Sequence, residues 1–432
     1  MEATVSKFSL SSADHCGAVD RAGRFTGAES GNVAITTAIV FVFMAGAVGA
    51  AVSYSAASAT RANMQAALDA AVLAGTVASD TGQDQIVTAN NVFQSNLGRF
   101  AQNSTTQISA TFKVDGLVLS GVATGSVKNP FGDVIGSKII PVNVTSAATK
   151  QTTPVCVLGL NGLDNGSFDI NGSKAVFNAV DCAVQANTTS KTGMTEEGSP
   201  TANAKKFGVS GGHKGDTFSP PPSDGSAKVA DPYASLPFPY YDSCPQNSKM
   251  LEIKDSTPLK QGTYCGGIHV FGDSTTVTLQ PGIYVMADGP FWTDASSVVT
   301  GDQVMIAFTG TGATLQLWGD SSVTLTSPIS GTYMNMQFMQ DNKDANTHGL
   351  WCSLGGNGGG SAKLQYDGVA YFPTQNWWAF GNSVVNANSP SVAILADKVW
   401  TQGSATVNVT NNNPRNLSVT VPKTTYGARL IQ

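Results

Sequence analysis

Residues with zinc-ligand chemistry occur at two places in the chain. Cysteine and histidine stand four residues apart in Cys265–His269 and again in His348–Cys352. Thiolate and imidazole are ligands that zinc accepts. A disulfide and scattered histidines account for the same residues, and this second interpretation is the one we adopt. The sequence therefore predicts no metal-ligating residues.

Paired carboxylates are the other candidate for chemistry. Asp288 with Asp294, and Asp341 with Asp344, resemble the two-acid arrangement of enzymes that cleave polysaccharides. Such pairs also occur as solvated turn residues. The sequence has no nucleophile elbow, phosphate-binding loop, dinucleotide-binding glycine motif or zinc-protease motif. We expect no catalytic residue and no cofactor, and keep a polysaccharide-acting enzyme as the alternative.

Tryptophan suggests a third function. The six tryptophans all lie in the last third of the chain, and Trp377 and Trp378 are adjacent. Neighbouring strand residues point to opposite faces, so one of the two could be exposed. Core packing is the first interpretation, and a carbohydrate-binding adhesin is the alternative.

Charge is scarce throughout. Charged residues make up 12% of the 432 residues, against roughly 25% in ordinary globular proteins. The 24 basic residues do not exceed the 29 acidic ones, so the sequence does not favour nucleic-acid binding. Many small polar residues and 46 glycines are typical of β-rich secreted proteins.

One segment has the length and composition of a membrane span. Residues 33–52 contain no charge, and about 20 apolar residues cross a bilayer as a helix. We predict a transmembrane helix at 32–53. The apolar stretch is longer than that of a signal peptide, which is usually about 7–15 residues. Small residues at i and i+4 also permit helix–helix association in the membrane. The predicted span residues are Val33, Phe41, Phe43, Gly46, Gly49 and Val52.

The flanking residues predict the orientation. Arg21 and Arg24 precede the span, and Arg61 is the only basic residue close after it. Basic residues concentrate on the cytoplasmic side, so residues 1–31 are expected to form a cytoplasmic tail. Everything beyond the span would then lie outside the cytoplasm.

The cysteines agree with an oxidising compartment. Cys156 with Cys182, and Cys244 with Cys265, are close in sequence and are the disulfide candidates. Spacing alone does not fix the connectivity, and Cys352 is the residue that we expect to be left over.

The elements after the span change character along the chain. Helices at 33–79 and 83–101, then strands at 107–114, 117–124 and 138–145, predict a helical extension and small α/β unit over 54–153. Asp115 and Gly116 predict a hairpin turn between the first two strands. Residues 154–245 are predicted to form a disulfide-bearing, Pro/Gly-rich β/loop region, which is extended or loop-like from Pro200 to Pro245.

Short strands dominate the remainder. Over 246–432 they recur about every 20–25 residues with glycine at the corners. This spacing predicts a parallel β-helix-like solenoid, with an antiparallel β-sandwich as the alternative.

The membrane segment and the residues after it resemble a known family. The segment is similar to the N-terminal module of TadG-like proteins of the bacterial tight-adherence (Flp) pilus system. The residues that carry the likeness are Gly31, Asn32, Met64, Gln65, Ala67, Asp69, Ala70, Ala71, Leu73, Ala74 and Gly75. Cys182, Cys244 and the segments 231–237 and 281–284 are similar to the C-terminal region of one TadG subset.

The resemblance implies an α+β membrane-anchored protein with a mainly-β C-terminal region. It implies a non-enzymatic component of the inner membrane that anchors or scaffolds pilus assembly and secretion through a periplasmic domain. The expected partners are pilus-assembly and secretion proteins of the inner membrane and envelope. Processed pilin-like relatives carry Glu where this chain has Thr36, so we expect an uncleaved anchor.

Overall fold

The chain divides into two compact units. They are Met1–Thr149 with Leu430–Gln432, and Lys150–Arg429. The computed structural model describes residues 31–78, 82–101, 108–129, 131–132, 138–355, 360–388, 391–411 and 423–431. The predicted tail, including Arg21 and Arg24, lies outside the described residues apart from Gly31.

The first unit combines two helices with an antiparallel sheet. Helix α1 spans Gly31–Ala78 and helix α2 spans Gly82–Ala101. Strands β1 (Ser109–Asp115), β2 (Val118–Lys128) and β3 (Ile139–Gly159) pair in the order β1–β2–β3. Gly116 has a φ of +58° in the turn between β1 and β2, at the predicted hairpin. The helices and strands lie where the sequence predicts them, although β3 continues into the second unit.

The core of the first unit forms between the C-terminal half of α1, helix α2 and the sheet. Met64, Leu68 and Val72 recur every four residues on α1, and all three are fully buried. Phe93 from α2 and Leu119 from β2 join the same cluster. The amphipathic spacing thus explains why this half of α1 packs onto a sheet.

The described residues of the second unit form short strands and one 3-10 turn, at Ala345–Thr347. In chain order after β3, its strands are β4 (Phe168–Asn171), β5 (Val176–Ala186), β6 (Met194–Glu197), β7 (Thr201–Val209), β8 (His213–Lys214), β9 (Phe218–Ser219), β10 (Leu251–Ile253), β11 (Thr257–Leu259), β12 (Gly262–Cys265), β13 (Ile268–Val270), β14 (Thr276–Leu279), β15 (Gly282–Ala287), β16 (Phe291–Thr293), β17 (Val298–Gly301), β18 (Val304–Thr309), β19 (Leu315–Leu317), β20 (Ser322–Leu325), β21 (Met336–Gln340), β22 (Trp351–Leu354), β23 (Lys363–Tyr366), β24 (Gly368–Ala379), β25 (Val384–Val385), β26 (Val392–Gln402), β27 (Thr406–Asn408) and β28 (Lys423–Ile431).

Strands β4 to β27 of this unit, with the end of β3, pair in parallel and form three ladders. From β10 to β20, each strand pairs with the strand three places later in the chain. Ladder A runs β10–β13–β16–β19–β22–β24–β26–β4–β6–β8. Ladder B runs β11–β14–β17–β20–β23–β25–β27–β5–β7–β9, and ladder C runs β12–β15–β18–β21–β24–β26–β3–β5–β7. Strands β5, β7, β24 and β26 bend and contribute to two ladders each. The arrangement is consistent with a β-helix-like solenoid and does not fit the antiparallel sandwich.

Spatial order in the ladders differs from chain order. Strand β26 pairs with β3 and β4, and β27 pairs with β5. Strands before residue 220 therefore continue the ladders beyond the last C-terminal coil. The ladders join the two segments that the sequence analysis treated separately, 154–245 and 246–432.

The stretch from Pro200 to Pro245, which is predicted to be extended or loop-like, begins with short strands. Residues 201–219 hold β7, β8 and β9. Only small alanines alternate with polar residues at the start of β7, so the hydrophobic signal of a strand is weak there. Prolines 220–222 follow directly after β9.

The rest of that stretch packs over ladder C. The strap, which we define as residues 227–250, contains no strand. Its side chains Tyr233, Leu236 and Phe238 pack against an apolar cluster that includes Met305 and Leu395. The strap is held by the Tyr371 hydroxyl, which donates to Asp231 at 2.8 Å, and by the Cys244–Cys265 disulfide. Ladder C is therefore buried on both faces, which explains continuous apolar runs such as β18.

The structure joins Cys156 to Cys182 and Cys244 to Cys265, the two pairs that spacing in the sequence indicated. The first pair is 1% and 0% exposed within the core. The second pair is half-buried.

Replacing Cys156 and Cys182 together with Ala is expected to lower the free energy of unfolding by about 2–5 kcal/mol. The double change Cys244→Ala with Cys265→Ala is the matched control, since the two disulfides link residues 26 and 21 positions apart. Replacing Cys156 and Cys182 should lower the free energy of unfolding more than the control does, because it also leaves a cavity in the core. Denaturant unfolding of the full chain in detergent measures both losses, and equal losses would contradict the expectation.

Candidate functional site

The N-terminal half of α1 exposes apolar side chains. Among the described residues, α1 is the one helix long and apolar enough to cross a membrane. Phe41 and Phe43 are 67% and 74% exposed, and Val52 is also exposed. The space beside Gly46 is open to at least 4 Å. Gly31, Asn32 and Val33 lie in α1, and their side chains lie outside what the structure describes. In water such a surface is unfavourable, so its composition suits a lipid environment.

Contacts with the rest of the first unit begin at the end of the apolar stretch. Ser53 Oγ lies 2.8 Å from the Gly49 carbonyl oxygen and 2.7 Å from Asn129 Oδ1. A side chain at Gly49 would place its Cβ 2.9 Å from the Phe131 ring. Small residues at Gly49 and Ser53 therefore let the segment after β2 approach the helix closely. The predicted span and the folded part of the first unit meet within one helical turn.

The residues that carry the family likeness hold α1 against its own unit. Gln65 Nε2 donates to Asp69 Oδ1 at 2.8 Å and to the Thr145 carbonyl of β3 at 3.0 Å. Ala70 and Leu73 are half-buried, and Leu73 packs against the core. A Cβ at Gly75 would lie 2.6 Å from Leu119 Cδ2 and 2.7 Å from the Gln85 carbonyl oxygen. The motif is thus a packing device in which Gly75 allows α1, α2 and the sheet to meet.

The residues considered as zinc ligands have other partners. Cys265 is disulfide-bonded, and His269 Nε2 lies 3.0 Å from Asp294 Oδ2. His348 Nε2 lies 3.2 Å from the Asn342 carbonyl oxygen. Burial raises the pKa of the Cys352 thiol to about 12, and its sulfur donates to Gln375 Oε1 at 3.2 Å. Within the ranges that the structure covers, no group of three or more His, Cys, Asp or Glu side chains could hold a metal ion.

The candidate carboxylates bind neighbouring backbone and hydroxyl groups. Asp288 Oδ1 accepts a hydrogen bond from the Thr311 amide at 2.9 Å, and Asp344 Oδ2 accepts one from the Gly310 amide at 2.8 Å. Asp341 Oδ2 accepts a hydrogen bond from the Thr309 hydroxyl at 3.0 Å. These three acids thus stabilise the turn that follows β18.

The adjacent tryptophans separate as strand geometry requires. Trp377 is fully buried in the core, whereas Trp378 is half-buried on the outward side of β24. The other four tryptophans, Trp292, Trp318, Trp351 and Trp400, are also half-buried. Sequence reasoning identified only the Trp377–Trp378 pair, because the alignment of the others depends on strand register.

Comparison with known proteins identifies the N-terminal module. Residues 31–80 match the model of the Tad family, described as Flp pilus-assembly TadE/G-like. The match covers α1 and its packing motif, and it confirms the resemblance predicted for the N-terminal module. It supports involvement in the Flp pilus assembly system and a general interaction with that machinery. No curated protein and no solved structure matches the chain.

Substituting Gly75 tests the packing role of the motif. Gly75→Ala is expected to destabilise the first unit by about 1–3 kcal/mol, since overpacking forces neighbouring atoms apart. Gly98→Ala in α2 is the control, because nothing lies within 4 Å of its added Cβ. This control should be neutral or stabilising, by up to about 1 kcal/mol. Amide hydrogen exchange of α2 and β2 in the full chain measures the difference, and equal protection in both variants would refute the packing role.

Proposed function

We propose that the protein is a non-enzymatic, single-pass component of the bacterial inner membrane that anchors or scaffolds the Flp pilus assembly apparatus. One observation carries the proposal: the apolar segment and the TadE/G-like motif belong to a single 48-residue helix. The N-terminal half of this helix offers an apolar surface to lipid, and its C-terminal half is the scaffold on which the first unit folds. The same element thus supplies both the anchor and the attachment point of the folded chain.

The proposed arrangement has a cytoplasmic N-terminus and a periplasmic second unit. Basic residues before the span support this orientation. Two disulfides in the second unit also support it, because structural disulfides persist in oxidising compartments. The small residues Gly46 and Ala50 of the span, which are four positions apart, would permit association with other membrane helices.

We propose that the second unit is a parallel β-helix whose surface contacts secretion and envelope proteins. The parallel ladders, covered by a strap that a disulfide cross-links, make the second unit a stiff body. A stiff body suits the proposed scaffold role. The alternative, a polysaccharide-acting enzyme, requires acids that converge in a cleft. Asp288, Asp341 and Asp344 lie around one turn, and an oxygen of each already accepts a hydrogen bond from an amide or hydroxyl group of that turn, which favours the scaffold.

Membrane insertion provides the first test. Phe43→Arg places a charge in the middle of the proposed span, which costs about 2.5–3.5 kcal/mol on insertion scales. Tyr54→Arg is the control, since Tyr54 is equally exposed, at 77%, but lies beyond the span. An alkaline-phosphatase reporter fused after residue 80 should lose activity with Phe43→Arg and retain it with Tyr54→Arg. An inactive reporter on the unaltered helix would refute the orientation.

Deletion of the β-region tests the scaffold role. A chain lacking residues 154–432 is expected to insert normally, because the anchor is intact, and to abolish piliation and surface attachment. Electron microscopy counts the pili, and immunoblotting of the membrane fraction controls for the amount of protein. Normal piliation at equal protein levels would show that the proposed role of the β-region is wrong.

A further inference from the structure

The two ends of the parallel ladders differ in how their last strands are covered. At one end, the amides of Ser223 and Ser226 donate to the carbonyl oxygens of Phe207 and Val209 in β7, at 3.0 and 2.9 Å. The side chains of Phe207 and Val209 are fully buried there. At the other end, no described strand pairs with the outer edges of β10, β11 and β12. We call these three edges the open end.

The open end leaves part of the apolar core accessible to water. Leu251 of β10 is 41% exposed, and Leu259 of β11 and Tyr264 of β12 are half-buried. The residues that pair with them in the next coil are all buried, namely Ile268, Leu279 and Met286. Stacked repeats normally need a polar cap at each end, because an uncovered core is unfavourable in water. Covering the open end would therefore stabilise the second unit.

Strand β10 presents backbone groups that another strand could pair with. The Leu251 amide donates to the Gly267 carbonyl, and the Ile253 carbonyl accepts from the Phe271 amide, both at 3.0 Å. Leu251 and Ile253 thus direct their backbone groups into the ladder. Because these directions alternate along a strand, the N–H and C=O groups of Glu252 and Lys254 point away from it.

The other two strands of the open end are less suited to pairing. The Leu259 carbonyl accepts from the Gln280 amide at 2.9 Å, so the neighbouring Pro258 lies at the outward position of β11. Proline has no N–H to donate to a further strand. The strap flanks β12, since the Asp242 amide donates to the Thr263 hydroxyl at 3.0 Å. These features leave β10 as the strand of the open end that is free to pair.

The charges on β10 make its edge complementary to itself. Glu252 and Lys254 are exposed, and neither has an ion-pair partner among the described residues. Lys254 Nζ lies 4.8 Å from the centroid of the Phe271 ring, which keeps the ammonium group on the outward side of ladder A. If two copies of β10 meet antiparallel on a two-fold axis at Ile253, Glu252 of each copy lies opposite Lys254 of the other.

We propose that the open end binds a second copy of this chain through antiparallel pairing of the two β10 strands. In this register the outward backbone groups of Glu252 face those of Lys254, so each such pair exchanges both of its backbone hydrogen bonds. An ion pair accompanies the hydrogen bonds on each side of the axis. The exposed side chains of the two core ends come together, and both open ends are covered, so association stops at a dimer.

The charge pattern favours a second copy over other occupants. Any extended segment could bond to the backbone of β10, but only one with opposite charges in matching order satisfies Glu252 and Lys254. A reversed copy of β10 has this order. Head-to-tail stacking would place β10 on an end whose β7 edge is already bonded to residues 223–226, and it would continue into a filament. Pairing of the second unit does not depend on the proposed membrane role.

Charge reversal in the full chain tests the pairing. Glu252→Lys and Lys254→Glu each place like charges opposite one another on both sides of the axis. Each should raise the dissociation constant of the dimer at least about tenfold. Lys363→Glu is the control, because Lys363 is an exposed lysine of ladder B and should leave the dimer unchanged. Size-exclusion chromatography with light scattering measures the mass of the purified chain in detergent.

Two combinations separate pairing from misfolding. Glu252→Lys together with Lys254→Glu in one chain exchanges the two charges, so the edge is again complementary to itself and the dimer should return. The two single variants should also pair with each other when mixed, since one carries two positive charges and the other two negative charges at these positions. Pull-down with two different affinity tags detects this mixed dimer, which forms only if both variants are folded.

Four results would overturn the proposal. The first is an unaltered chain that stays monomeric at about 100 µM. The second is a dimer that neither single reversal weakens, which would assign association to the membrane helix. The third is failure of the double variant and of the mixture to recover the dimer, and the fourth is growth into filaments. Loss of pili on deletion of 154–432 together with any of these results would reject the dimer and retain the scaffold role.

Discussion

In-register parallel pairing is the constraint on which the second unit depends. Each strand aligns with an equivalent strand of the next coil, so one choice of register fixes two surfaces at once. The inward row becomes a continuous core, from Val270 to Thr401 in ladder A. The outward row becomes a linear array whose composition is free to vary. A slip of one residue would exchange the two rows, which is why a core of large apolar side chains specifies the register strongly.

The first unit depends on a different device, close approach between a helix and a sheet. Gly75 lets α1 meet both Leu119 and the backbone of α2. Gln65 satisfies a carbonyl of β3 from the same helix. The matched family segment therefore corresponds to a physical module, in which an exposed apolar helix continues without interruption into a packed one.

Local patterns predicted the local structure well. Helix α1, helix α2 and the hairpin at Gly116 follow from periodicity and turn residues. The sequence does not single out strand β7, because the alanines at its start give little hydrophobic signal. The sequence also does not predict that β3, β4 and β5 pair with β26 and β27. A regular spacing of strands does not indicate which coil lies at the end of the solenoid. The contacts of Trp351 with Trp378 and Trp400 could not be predicted for the same reason, because these three rings become neighbours only through strand register.

The position of strands 155–219 has a consequence for biosynthesis. These strands are made first, but their ladder partners on one side, β26 and β27, are among the last to be made. Until residues near 408 have appeared, the apolar edge around Phe168 and Phe177 lacks its neighbouring coil. Such non-local pairing is slow and leaves strand edges open to aggregation. The unit closes only when its C-terminal coil has been made, so a chain truncated before that point would leave the early strands uncovered.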